Sequence, residues 1–441
     1  MKRLKLLIIL FLSTFSLIAQ NTMYFMERMP QKINYNPAII PEMDFFIGLP
    51  GLSGVSLQAY NSGFNYNELD YFIDHVWDNN YNPDNFINSI GSNNKFSSEV
   101  NTNLFTIGFK LKKNDFLSFS LRAHSHFLNT AASDIVYLLT DLNDITDDDF
   151  PIIVDDISFL TNNYIDFGVT YARKINDHLT LGITPKINFN GAGLRSSDIR
   201  LEVDQIKGEY EDDYEVNLTG NVEVGLFTEI NPEAIDGNEF DLEASIFPEN
   251  IEDYLTAGNI IKNKSLSVDI GATYELDKWM FSASILNFGR SSYKTNGYKL
   301  TGNGSSVLID ENQKIKIGIP TKIYLGASRQ FSPKWNYALL LNNNFYSTGS
   351  QASATASLNG FVGSALSTSV SYTAGYKFDN LGIGLRIRLL PGADLYMVTD
   401  NIIQAINFKN AYRVTMAFGI NIATGVKEKK KTELPETEEL Q

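Results

Sequence analysis

Across positions 412–422 every even-numbered residue is apolar and every odd-numbered one is small, polar or charged: Tyr412, Val414, Met416, Phe418, Ile420 and Ile422 alternate with Arg413, Thr415, Ala417, Gly419 and Asn421. Successive side chains of a strand point to opposite faces, so the segment presents one apolar face and one polar face. The same dyad repeat runs through 165–172, 179–189, 266–274, 369–378 and 381–389. Segments of about ten residues with this pattern are the signature of a transmembrane β-barrel. Composition agrees. The chain carries 29 Phe and 22 Tyr, yet its mean hydropathy is −0.14; faces of opposite character cancel in the average.

A soluble β-sandwich also alternates, so the turns must arbitrate. Gly108, Gly168, Gly225, Gly271, Gly326 and Gly375 recur at intervals of roughly fifty residues. Each leads to a polar turn: Lys113-Asn114-Asp115, Asn176-Asp177, Asn231-Pro232 onward to Asn238, Asp277-Lys278, Pro333-Lys334 and Asp379-Asn380. A fifty-residue unit is long for a pair of sandwich strands. It fits a short hairpin plus a long loop, the alternation of periplasmic turns and outer loops around an outer-membrane barrel. Six hairpins, one strand within 45–60 and the closing strand at 412–422 make about 14 strands, within a range of 12–16. The expected fold is an all-β, transmembrane antiparallel barrel with both termini periplasmic.

Lys2, Arg3 and Lys5 precede an apolar run from Leu6 to Leu12, and Ala19-Gln20 offers a cleavage point. Residues 1–19 therefore read as a signal peptide. Its removal takes the formal net charge from −15 to −18. Residues 20–44 form an N-terminal segment, 45–424 the barrel and 425–441 a charged periplasmic tail. Among the long loops, 133–156 holds eight Asp and no Lys or Arg. It does not fit a calcium-binding EF-hand, because Ile145 and Thr146 stand where a ligand and a Gly are needed. In 66–90, Leu69, Phe72, Ile73 and Val76 have helical spacing and suggest one short amphipathic helix. Ser, Ala and Gly dominate 349–363, which reads as a mobile loop.

The block Asn36-Pro37-Ala38, followed by Phe45-Phe46-Ile47-Gly48-Leu49-Pro50 and Gly54-Val55-Ser56-Leu57, resembles a family of outer-membrane barrels of unknown function from bacteria that use type IX secretion. Asp400-Asn401 before the closing strand belongs to the same resemblance. The Gly-x-x-Tyr strands and tight turns are also similar to fatty-acid-transporter-type and PorV/PorP-type barrels. The resemblance implies a barrel of about 14 strands with the residues before the first strand in or near the lumen. It implies no activity.

Candidate site residues follow from parity. Leu117, Phe119 and Leu121 share one face, so Arg122, His124 and His126 share the other; Asp166, Lys186, Lys377, Arg386, Arg388 and Arg413 fall on polar faces likewise. A charge facing lipid costs ~2–4 kcal/mol at the midplane, so these nine are expected to face the lumen. There they either line a solute path or form ion pairs that seal it. His124 and His126, two apart, suggest a metal or esterase site only if further ligands or an orienting carboxylate join them. No G-x-S-x-G, phosphate loop or dinucleotide fingerprint appears; Gly191-Ala192-Gly193 reads as a strand end. Zero Cys excludes disulfides, thiolate metal sites, a cysteine nucleophile and a Cys-anchored lipoprotein. The acidic balance argues against nucleic acid. No catalytic, metal or cofactor site is expected. Expected partners are outer-membrane lipid or lipopolysaccharide, a hydrophobic small molecule, and secretion or surface proteins. Two functions fit: a transporter of a hydrophobic solute, or a scaffold barrel serving a secretion, gliding or adhesion assembly in the outer membrane of a Gram-negative bacterium.

Overall fold

The structure, a computed structural model, describes residues 20–425 apart from 50–52, 76–83, 91–93, 132–150, 207–212, 227–234, 237–238, 241–260, 305, 347–348, 364 and 376–379. The expected signal peptide, the centre of the acidic loop, Val76, Lys377 and the charged tail lie outside the described residues.

A single antiparallel sheet closes on itself. Its first wall position holds two consecutive strands, β1 (Phe45–Gly48) and β2 (Val55–Asn61), and both pair with the last strand, β21 (Arg413–Thr424). From there the wall runs through β3 (Asn94–Lys112), β4 (Asp115–Ala131), β5 (Ile152–Lys174) and β6 (Leu179–Ile206). The lower part of β6 pairs with β10 (Lys264–Leu276), whereas its upper part pairs with β7 (Asp213–Leu226). A minor ribbon, β8 (Ile235–Asp236) with β9 (Glu239–Phe240), follows β7 in the chain. β7 also carries β12 (Gly297–Gly304) and, beyond it, β13 (Ser306–Asp310). β11 (Trp279–Tyr293) joins β10 to β15 (Thr321–Ser332) and, higher up, to β14 (Ile315–Gly318). The circuit is completed by β16 (Trp335–Tyr346), β17 (Gly349–Val362), β18 (Leu366–Ala374), β19 (Leu381–Leu390) and β20 (Ala393–Thr399). With β1 and β2, and likewise β14 and β15, each counted as one wall position, and with β7, β12 and β13 left out as the sheet that rises above β10, the barrel has 14 strands.

Five local expectations need correction. The 349–363 segment is strand β17, held by β16 on one side and β18 on the other. Its small residues reflect close packing. Gly225 does not lead to a tight hairpin between wall strands, because β7 extends the sheet above β10. Nor does Gly375 lead to a turn at the tight-turn end: the β18–β19 connection lies at the loop end, and the tight turns on that side join β17 to β18 and β19 to β20. Gly191 marks a register irregularity inside β6, not a strand end. The misplaced hairpins equal the missed ones in number, so the strand total is unaffected. In 66–90 there are two helices, α2 (Tyr66–His75) and α3 (Asp84–Ile90), with Phe72, Phe86, Ile87 and Ile90 buried together at the loop end.

Along the wall strands the polar and small residues are buried on the inner face and the apolar ones turn outward, except where inner apolar side chains meet the plug or the β11–β14 ribbon. In β21, Arg413, Thr415, Ala417 and Asn421 are buried while Phe418 and Ile422 are exposed. Ile270, Leu325, Leu339 and Met397 belong to the same exterior. At the tight-turn end stands a cluster of outward aromatics: Trp279 stacks on Phe281 at 5.9 Å and meets Tyr337 edge-on, and the Arg329 guanidinium lies 5.5 Å from the Trp279 ring. An apolar exterior rimmed by amphipathic aromatics is built for lipid, not for water.

The core lies in the lumen. Residues 20–44 fold inside the barrel: α1 (Gln20–Met23) lies against the loop-side ends of β17, β18 and β20, and the segment then descends to the tight-turn end at Ile33 and Met43. Three apolar clusters hold them. Met23, Met26 and Met29 pack on Tyr396, Val398 and Ala417; Tyr24, Phe25 and Ile39 pack on Leu286, Tyr324, Ala338 and Leu340; Ile33 and Met43 pack on Phe46, Phe116, Ala172 and Ala423. Wall glycines give these side chains room. Gly182 and Gly271 face each other across β6 and β10, and Asn36-Pro37-Ala38 lies on that bare patch. A Cβ at Gly271 would stand 2.0 Å from Asn36 Oδ1, and one at Gly182 2.3 Å from the Pro37 carbonyl carbon. Asn36 Oδ1 accepts from Ala38 N at 2.9 Å, and its Nδ2 reaches the Tyr24 hydroxyl at 3.2 Å and the Ala283 carbonyl at 3.3 Å. Phe25 fills the place of a side chain at Gly326, and Met26 that at Gly384.

Gly271→Leu therefore overpacks this contact. We expect a loss of about 1–3 kcal/mol in stability, read by urea titration in detergent, with limited proteolysis newly cutting within 20–44. The outward neighbour change Ile270→Leu should leave both readouts at wild-type values.

Candidate functional site

Above the N-terminal plug lies a layer of charged side chains from six wall strands. Arg122 on β4 stands directly opposite Asp166 on β5 and donates to both of its oxygens, Nε at 3.1 Å and Nη2 at 2.8 Å. His124 Nε2 lies 2.9 Å from Asp166 Oδ2, and its ring stacks on Tyr164 at 4.7 Å. On the other side of its imidazole, Nδ1 meets Asn101 Oδ1. His126 lies 3.3 Å from Glu99, and Glu99 also takes the Lys322 ammonium at 2.5 Å. Lys186 reaches Asp269 at 2.5 Å and Asn287 Oδ1 at 2.6 Å. Asn287, at positive φ in an irregularity of β11, donates its backbone N–H to Asp269 at 2.7 Å. All of these charged residues are buried.

The layer is neutral: Glu99, Asp166 and Asp269 balance Arg122, Lys186 and Lys322 when the two histidines are uncharged. His124 and His126 do not converge on one point, since each is turned to a different carboxylate. Arg386 and Arg388 lie apart, near the tight-turn end, where both pair with Asp394; the Arg388 contact is 3.1 Å. Arg413 lies near the loop end, 4.0 Å from Asp400 and 3.3 Å from Asn380 Oδ1. Asp400 anchors the start of the plug, accepting from Thr22 N at 2.8 Å and Thr22 Oγ1 at 2.6 Å. Thr22 Oγ1 also lies 2.6 Å from Ser371 Oγ.

Parity along one strand does not reveal Glu99, Lys322, Asp394 or Asp400. Asp269 is a different case: it lies on the polar face legible at 266–274, and that parity is the signal for its inward direction. Lys322 follows a strand interrupted by Pro320, and Asp394 lies on β20, so neither had a legible face.

A second closure comes from the loop end. Tyr293, Ile315 and Ile317, on β11 and β14, pack with Leu128 of β4 and Leu160 of β5, which are not their sheet neighbours. Asn162 of β5 hydrogen-bonds Ser291 Oγ at 3.0 Å. A Cβ at Gly225 or Gly193 would strike Tyr293. The upper β11–β14 ribbon thus leans inward onto β4, β5 and the upper parts of β6 and β7. Between plug and charged layer there remains a cavity of about 60 Å³ touching Gln31, Tyr35, Glu99, Arg122 and His124. Burial pushes the Tyr35 hydroxyl well above its ordinary range, with Asp400 and Glu99 adding to the effect. A cavity of about 250 Å³ bounded by Leu160, Arg195, Arg290, Lys316 and Tyr346 lies on the loop side.

Solved structures with related folds include the toluene transporter TodX of Pseudomonas putida, 11% identical over 93% of this chain and 95% of that one, with a TM-score of 0.39. A FadL homologue of Pseudomonas aeruginosa is 9% identical over 93% and 96%, with a TM-score of 0.43. The translocator domain of the autotransporter NalP from Neisseria meningitidis is 6% identical over 89% and 93%, at 0.35. Superpositions this loose carry no argument about activity. No curated protein shows a significant match. A family model matches residues 37–310 and 305–400, from Pro37-Ala38 of the plug through the charged layer to the Asp400 anchor: the chain belongs to a family of unknown function, DUF5723.

Proposed function

We propose that the protein is an outer-membrane barrel that passes a hydrophobic solute between its lumen and the lipid through the wall, in a closed state. The supporting observation is an apolar notch. β17 runs on to Gly349 beyond its last pair with β18, Ala354 opposite Ala374, so Ala352 and Ser353 have no ladder partner on that side among the described residues. A depression of about 440 Å³ opens there, walled by Ile323, Leu325, Leu341, Ala352, Ala354 and Ala374, with the lumen-facing Ser353 at its floor. Directly behind it lies α1, tied by Asn21 to Ser353 at 3.3 Å and by Thr22 to Ser371 and Asp400. Movement of α1 connects notch and lumen. An axial aqueous pore is the poorer reading, because plug, ion-paired layer and β11–β14 ribbon lie in series across it.

Thr22→Cys/Ser371→Cys tests this in a chain that has no native cysteine. Oxidised protein in proteoliposomes should lose uptake of an apolar fluorophore, and reductant should restore it. Equal uptake in both redox states would overturn the gate. Uptake no faster than in empty vesicles would overturn the transport reading.

The ion pairs seal the lumen in this reading. Removing one partner leaves an uncompensated buried charge, so Asp166→Ala should cost about 3–5 kcal/mol, and Arg122→Gln/Asp166→Asn should cost less than Asp166→Ala alone. Urea denaturation of folded barrels checks the ordering.

A scaffold role has one observation in its favour. β6 has 28 residues and climbs about 70 Å at ~3.3 Å per residue and ~40° tilt, far beyond a ~25 Å apolar band. With β7, β12 and β13 it raises a sheet clear of the membrane on one side only. Mild-detergent purification should then recover a secretion or surface protein at constant stoichiometry; repeated recovery of the barrel alone would remove this reading.

A further inference from the structure

On the side opposite the tall sheet, the wall is too low. β20 has seven residues, which climb about 18 Å at ~3.3 Å per residue and ~40° tilt, against an apolar band of ~25 Å. The chain then leaves the strand conformation and forms the short helix α4 (Ile402–Ile406), followed by a 3-10 turn at Phe408–Asn410.

This helix occupies the ring position where β20 would have continued. The last β20–β21 pair is Val398 opposite Ala417. Beyond it, side chains take over the ladder. Asp400 N donates to Thr415 Oγ1 at 2.7 Å, Thr415 N donates to Asn401 Oδ1 at 2.9 Å, Asn401 Nδ2 donates to the Arg413 carbonyl, and Arg413 N donates to Gln404 Oε1 at 2.9 Å. The sheet edge of β21 is thereby satisfied by amides belonging to, or leading into, α4. With Gln404 buried against β21, the far face of the helix carries Ile403 at 50% exposure and Ile406 at 78%, and Phe408 follows at 61%. Below them the exterior of β18–β20 presents Tyr372, Leu381 and Met397.

We propose that α4 and Phe408 lie within the outer-leaflet acyl region and complete the lipid-facing wall above β20. The occupant of this apolar face is membrane lipid, because the face stands directly above the lipid-facing exterior of β18–β20. A helical turn substitutes for the missing strand end by pairing part of its own backbone, Ala405 N with the Asn401 carbonyl and Asn407 N with the Ile403 carbonyl, where no water is present to do so. Lys409, exposed beside Phe408, has the reach to carry its ammonium to the headgroups while its stem stays apolar. The inference rests on the reading of the barrel as membrane-embedded.

Single-cysteine variants separate the two claims. Ile406→Cys, Leu339→Cys on the mid-wall exterior and Ser197→Cys on the raised sheet are each labelled with an environment-sensitive fluorophore and reconstituted in phosphatidylcholine/phosphatidylglycerol vesicles. Phe408→Cys is a second probe should Ile406→Cys lose the heat-modifiable gel shift of a folded barrel. The expected result is blue-shifted emission at Ile406, quenched several-fold more by acyl-chain nitroxide than by an aqueous quencher, as at Leu339 and unlike Ser197. Water-like emission at Ile406 with lipid quenching at Leu339 overturns this inference alone. Water-like emission at both overturns the membrane reading, and this inference with it.

Discussion

Backbone hydrogen bonding is the constraint on which the rest depends. β21 pairs with β1 and β2, and that single closure removes the open edge of a long sheet. In an apolar surrounding an open edge is untenable, because each unsatisfied N–H or C=O costs several kcal/mol. Closure then dictates the two faces. Apolar residues turn outward and polar ones inward, the reverse of a water-soluble core. A polar lumen of this width cannot be left to chance packing, and much of the molecule is concerned with filling it.

Two materials fill it. Near the tight-turn end the filling is apolar and comes from the chain's own first residues, with methionines and aromatics seated on wall glycines. Higher up it is ionic, with each carboxylate of the layer set against a cation from another strand. The recurrent glycines take on a different meaning in this light. Gly108, Gly271 and Gly326 are places where Phe46, Asn36 and Phe25 approach the wall too closely for a side chain to stand. They mark contact inside the barrel more than they mark turns.

The wall itself is uneven, and its exceptions are where function gathers. It rises on one side into the β6–β7 sheet, and it falls on the other to the seven residues of β20. Among the described residues one ladder ends at Ala354, beside the notch; another is continued by the amides of Asn401 and Gln404 in place of backbone. Asp400 sits between these two exceptions. One carboxylate holds the start of the plug and belongs to the segment that replaces the strand.

Much of this protein was legible in the sequence because a strand's two-residue period is local. Positions 412–422 declare their faces without reference to any other part of the chain, and so does Asp166 beside Phe167. From that period follow the barrel, the outward apolar face and the inward polar one. Partnership is not local. Nothing near Arg122 says that it meets Asp166, nothing near Lys322 says that it meets Glu99, and 349–363 reads as a loop because its Ser, Ala and Gly are equally suited to one. The order of strands around the ring, the inward lean of β11 and β14 and the helix standing in for the end of β20 were decided only by tertiary structure. The physical reason is that each depends on which backbone donors remain unpaired once the ring has closed, and that is a property of the whole ring.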